Sequence, residues 1–85
     1  MIGLVKRGLS VNPNTPVDIL IKFAKDQHNE LRRSVATNSN LPIENLIELS
    51  SDKDPNVRNT VLYHPYLPKN ILLKLCKDQD KFVPL

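Results

Sequence analysis

Asn38–Tyr63 reads NSNLPIENLIELSSDKDPNVRNTVLY, and its spacing recurs on both sides. Asn12, Asn38 and His64 stand 26 residues apart, as do Pro16, Pro42 and Pro68, then Leu20, Leu46 and Leu72. Asp26, Asp52 and Asp78 hold the same offset, and so do Lys6, Arg32 and Arg58. A fixed period in this range marks a solenoid, in which each unit buries its apolar face only against its neighbours. The expected fold is therefore all-α: a short α-solenoid of about three 26-residue, two-helix repeats. The repeats form one domain, 1–85, with a partial unit at 1–11 and units at 12–37, 38–63 and 64–85.

The first helix of the quoted unit is predicted to open at Pro42, because the amide that proline lacks would be unpaired at a first helical position. Glu44 adds a negative charge to the first turn, where the helix dipole favours it. One unit earlier, Thr15 and Asp18 flank Pro16 and Val17 as a capping-box-like pair. Ile43, Leu46, Ile47 and Leu49 follow helical spacing, matched by Val17, Leu20, Ile21 and Phe23 upstream and by Leu72, Leu73 and Leu75 downstream. The second helix starts at Asp54-Pro55, an N-cap followed by proline. Its inner face is Val57, Val61 and Leu62, and in the preceding unit Leu31, Val35 and Ala36. It must end before His64-Pro65, because a residue preceding proline is pushed out of the helical region. Helices this short are expected to be 3₁₀ in part. Val5–Leu9 aligns with a second helix, and Asp80–Leu85 opens another. Ile2, Leu4 and Val5 at one end, and Phe82, Val83 and Leu85 at the other, are apolar, which points to folded-back caps or to end-to-end self-association.

Asp52-Lys53-Asp54-Pro55-Asn56-Val57-Arg58, followed by a short helix and His64-Pro65-Tyr66-Leu67-Pro68, resembles the bacterial leucine-rich repeat variant family, within the wider HEAT-like group. The resemblance runs from about Val5 to Val83. It implies a right-handed superhelix in which α-helices alternate with shorter helices, and an Asp–Arg ladder between units. The founding type of that family carries an iron–sulfur segment. Cys76 is the only cysteine here, so that cofactor is not carried over, and no cysteine-built metal site or internal disulfide can form. The first copy of the motif, at Asp26, lacks the internal proline, and Pro84 replaces the arginine in the last copy.

Twelve basic and nine acidic residues give a net charge of +3. The charges are interspersed, and no tryptophan or aromatic platform accompanies them, so a solvated surface is preferred to a nucleic-acid face. Asp26 with Arg32 and Asp52 with Arg58 are each six apart across a turn, and a structural role is preferred to phosphate binding. His64 takes the place of Asn12 and Asn38, and a turn-forming role is expected of it. Asn12, Asn14, Asn38 and Asn40 are expected to cap helices or form Asx turns. Tyr63 and Tyr66 flank the start of the last linker, where anchoring a partner and half-buried packing are equally expected. Cys76 aligns with Ala24 and Ser50, a slot expected to be buried. No residue set points to catalysis, to a cofactor or to a metal. The reading is a cytoplasmic, non-enzymatic scaffold that binds another protein, with nucleic acid as the alternative and no membrane. Its candidate contact residues are Lys6, Arg7, Lys25, Arg32, Arg33, Arg58, Tyr66 and Lys77.

Overall fold

Prolines set where the helices begin. The computed structural model describes residues 4–77, and in it Pro16, Pro42 and Pro68 each stand immediately before a helix as its N-cap. Their ψ angles of 142°, 145° and 145° are extended, so the helix starts one residue later than the sequence suggested. The fixed proline φ fits this entry, and the proline carbonyl accepts the first intrahelical bond, from Leu20, Leu46 and Leu72 at 3.2, 3.1 and 3.1 Å. Thr15 does not cap α2 (Val17–Ala24): Pro16 holds the cap position, and the Thr15 hydroxyl instead donates to the Leu9 carbonyl at 2.6 Å. Asp54 behaves as its sequence predicts. Its side chain accepts from the Asn56 amide, with Pro55 behind it at the start of α5 (Pro55–Thr60).

Six α-helices and no strand occur among the described residues. The remaining helices are α1 (Leu4–Val11), α3 (Asn29–Ala36), α4 (Ile43–Leu49) and α6 (Lys69–Cys76). A 3₁₀ turn, Val61–Tyr63, extends α5 and stops at His64, whose ψ of 133° is extended as Pro65 demands. None of the helices in the described region is long and apolar enough to cross a membrane. Asp78, the expected helix at Asp80–Leu85 and the apolar residues Ile2, Phe82, Val83 and Leu85 lie outside the described residues.

The helices pack around α3. It lies against α1 on one side and α5 on the other, and against α2 and α4 on its remaining faces. α2 in turn touches α4. Leu31, Val35 and Ala36 from α3 are fully buried and meet Leu20 and Phe23 of α2, Leu46 and Leu49 of α4, and Val57 of α5 in one continuous core. Val61, Ile71 and Leu75 continue that core toward α6.

The register is not uniformly buried. Leu20 and Leu46 are inaccessible, but Leu72, in the same place on α6, is 42% exposed. On α6 the core contacts come from Ile71 and Leu75, so Leu72 is corrected from a core to a surface position, and Leu73 likewise. The reason is neighbourhood: α2 and α4 each have α3 packed against them, whereas α6 packs that closely on no described helix. Cys76 is exposed for the same reason, although Ala24 and Ser50 in its slot are buried. Val5 is 76% exposed where Leu31 and Val57 are sealed. Val17, Ile43 and Ile47 also reach the surface, on the flank of their helices.

Leu46 fills the centre of this core, and truncating a buried leucine removes transfer energy and leaves a cavity. Leu46→Ala is expected to cost about 2–5 kcal/mol in urea denaturation, and Leu72→Ala distinctly less. Equal losses at the two positions would contradict the packing described.

Candidate partner-binding surface

Polar side chains stitch the helix junctions together at fixed offsets. The Asn12 and Asn38 side-chain oxygens each accept from the amide two residues on, Asn14 at 2.8 Å and Asn40 at 2.9 Å. These are Asx turns, which their sequence predicts. Asn38 also reaches back: its amide group donates to the carbonyls of Ser10 at 3.0 Å and Asn12 at 3.1 Å. His64 reproduces the pattern with a ring. Its Nδ1 accepts from the Tyr66 amide at 3.0 Å, and its Nε2 donates to the Asn38 carbonyl at 2.9 Å. One nitrogen must accept and the other donate, so the ring is the neutral Nε2–H tautomer. Burial pushes its pKa below the ordinary 6.5, opposed by the bond to the Asn38 carbonyl.

A second set of bonds runs through the arginines. The Arg32 guanidinium holds Asp52 in two bonds, Nε to Oδ2 at 2.8 Å and Nη2 to Oδ1 at 3.1 Å. Its Nη1 donates to the Asp26 carbonyl at 2.7 Å, as Arg58 Nη1 does to the Asp52 carbonyl at 2.7 Å. The residues six apart therefore meet through a backbone oxygen, and the carboxylate partner belongs to the next junction along the chain. Lys6 stands in the Arg32 place and faces Asp26 at 4.0 Å. Asp26 and Asp52 each also accept an amide at the following helix start, from His28 and Asp54, both at 2.9 Å.

Hydrogen bonds to the Asp26 and Asp54 carboxylates lower their pKa values below the ordinary 3.8. The His28 amide is the largest cause for Asp26, and the Asn29 side chain for Asp54. A carboxyl lowered in the folded state favours folding above its ordinary value. That contribution is lost as pH falls below 3.8 and through the folded values.

The eight candidate contact residues separate into distinct environments. Arg32 is not a free anion site: its side chain is only 7% exposed and is bound to Asp52. Arg7 is exposed but paired with Glu30 at 3.3 Å, and Lys6 faces Asp26. Arg58 is half-buried and bonded to backbone. Lys25, Arg33 and Lys77 are exposed. An open cleft of about 370 Å³ lies above the Arg32–Asp52 pair. Lys25, Arg32 and Lys53 on its wall are offset by Asp26, Glu48 and Asp52, so the cleft gathers no excess of one sign. Tyr66 is 69% exposed, and Tyr63 beside it is exposed as well, so the alternative of half-buried packing falls away for both rings. The two rings bracket the His64-Pro65 step, on a linker whose backbone is pinned through His64.

No family model, curated protein or solved structure matches this chain.

Removing one partner of a buried ion pair strands the other charge. Asp52→Ala is therefore expected to cost about 3–5 kcal/mol. Lys6→Ala, which breaks only a long surface pair, is expected to cost under about 1 kcal/mol. Guanidinium chloride titration of the two variants checks this, and a near-neutral Asp52→Ala would show that the pair does not hold the junction.

Proposed function

We propose that this chain is a short right-handed α-solenoid of the leucine-rich repeat variant type whose role is to bind another protein. Several observations support the solenoid. The sequence register recurs every 26 residues. α1, α3 and α5 lie side by side, as do α2 and α4. Hydrogen bonds join residues 26 apart, from Asn38 to Asn12 and from His64 to Asn38. Units of this kind offer long surfaces made from neighbouring helices and linkers, suited to binding more than to catalysis.

The observation that carries the choice of partner is the exposure of Tyr63, at the end of the 3₁₀ turn, and Tyr66, on the linker that follows it. Tyrosine combines a large apolar face with a polar tip and loses little entropy when immobilised, which is why it is enriched at protein interfaces. Leu72 and Leu73 of the following helix are also exposed apolar side chains. The basic residues favour nucleic acid less. Arg32, Arg7 and Lys6 each face a carboxylate, and a phosphate backbone would have to displace it.

The double variant Tyr63→Ala/Tyr66→Ala tests this. Both rings are exposed, so its fold should stay within about 0.5 kcal/mol of the parent apart from small local effects. Proteins cross-linked to the parent in extract are expected to be missing from the variant. Fluorescence anisotropy with labelled DNA and RNA is expected to show no micromolar binding at low salt. Tight nucleic-acid binding that weakens steeply with salt would overturn the choice of partner.

A further inference from the structure

We propose that His64 is an acid-sensitive latch: protonation of its ring releases the Tyr66 linker from the Asn38 turn. The geometry leaves little latitude. The residue is 4% exposed, and both ring nitrogens are occupied. Nε2 donates to the Asn38 carbonyl at 2.9 Å, an oxygen that also accepts the Leu41 amide at 3.0 Å. Nδ1 accepts the Tyr66 amide at 3.0 Å. A second proton can enter only at Nδ1. There it destroys the acceptor and sets two donors against each other at hydrogen-bond distance. It also places a positive charge where the ring has almost no contact with water.

Among the described residues, the ring nitrogens bond only backbone groups, the Asn38 carbonyl and the Tyr66 amide, and no charged side chain. The facing turn, Thr37-Asn38-Ser39-Asn40, is uncharged. α3, packed on the 3₁₀ turn, carries Glu30, Arg32 and Arg33, and α5 carries Arg58. None of these is among the influences on the ring, which are its burial and the Asn38 carbonyl. The titratable group in contact is Tyr66, whose ring meets that of His64 edge-on at 6.2 Å. Tyr63 is the preceding residue.

The sign follows from the lowered pKa. Between the folded value and the ordinary 6.5, the unfolded chain binds more protons than the folded one. The His64 contribution to stability is therefore whole above 6.5 and declines as pH falls from there toward the folded value. The Asp26 and Asp54 contributions are lost only in a more acidic range, below 3.8, so the effects separate on a pH axis. Where Tyr66 contacts a partner, as proposed above, acid would loosen that contact too. The latch itself is read on the protein alone, so it can fail while the protein-binding reading stands, and the reverse.

The test uses His64→Asn, which installs the residue found at positions 12 and 38 and keeps an acceptor and a donor without a titrating group. Both the parent and the variant carry His28→Gln, which removes the other titrating ring. Thermal denaturation is followed between about pH 7.5 and about pH 5, the span in which histidine changes charge. The midpoint is expected to fall by several degrees with His64 present and to stay level in the His64→Asn variant. In two-dimensional NMR the Tyr66 amide is expected to shift along the His64 ring titration. Identical pH profiles for the two proteins would overturn the latch. So would a Tyr66 amide that ignores the ring titration. The NMR titration needs no position-64 variant, so it decides the matter even where His64→Asn does not fold.

Discussion

Short helices leave their backbone ends hungry for partners. No helix among the described residues exceeds eight residues, and α5 has six. An α-helix has four unpaired amides at its start and four unpaired carbonyls at its end, so in helices of this length nearly every residue belongs to a terminus. Such segments are also too short to be stable alone. The structure therefore depends on side chains that bind backbone oxygens at the junctions. Arg32 and Arg58 serve the carbonyls of Asp26 and Asp52, and Asn38 and His64 serve carbonyls one register back. Apolar burial draws the helices together, and these bonds make the junctions tolerable inside a packed structure.

The same constraint explains which substitutions the register accepts. A junction position requires an acceptor near its own backbone and a donor that reaches further. Asparagine supplies both with Oδ1 and Nδ2, and histidine does so with Nδ1 and Nε2. The exchange keeps the bonding and adds a titrating proton. At the basic position the exchange is less faithful. Arg32 forks onto the Asp52 carboxylate at 2.8 Å, whereas Lys6 approaches Asp26 no closer than 4.0 Å. A planar guanidinium matches a carboxylate in two parallel bonds, and a lysine point charge does not. The central junction is accordingly the more tightly tied.

This bonding also shapes what the surface can offer. Basic residues that look available in the sequence are partly consumed holding the fold together, Arg32 above all. What remains outward is a mixture: separate lysines, an electrically balanced cleft, and the exposed tyrosines on a linker whose backbone is fixed. A tyrosine on a fixed backbone has fewer side-chain torsions to lose on contact than a long, flexible lysine.

The helical class, the junction positions and the turn chemistry were all legible in the order of residues alone. The 26-residue spacing, the prolines and the Asp54-Pro55 start act locally, through φ angles and through bonds to amides two residues away. The Asx turns at Asn12 and Asn38 belong to the same class. Which members of a register are buried, and which partner each polar group takes, emerged only when the helices were packed. Leu46 and Leu72 are the same residue at the same offset, yet one is sealed and the other open. Arg32 could not be assigned to Asp52, twenty residues on, by any local rule. His64 read as a turn former, and its second bond, to the Asn38 carbonyl, was invisible until that turn lay against it. A local pattern specifies what a residue can do, whereas burial and partner choice depend on what packs alongside.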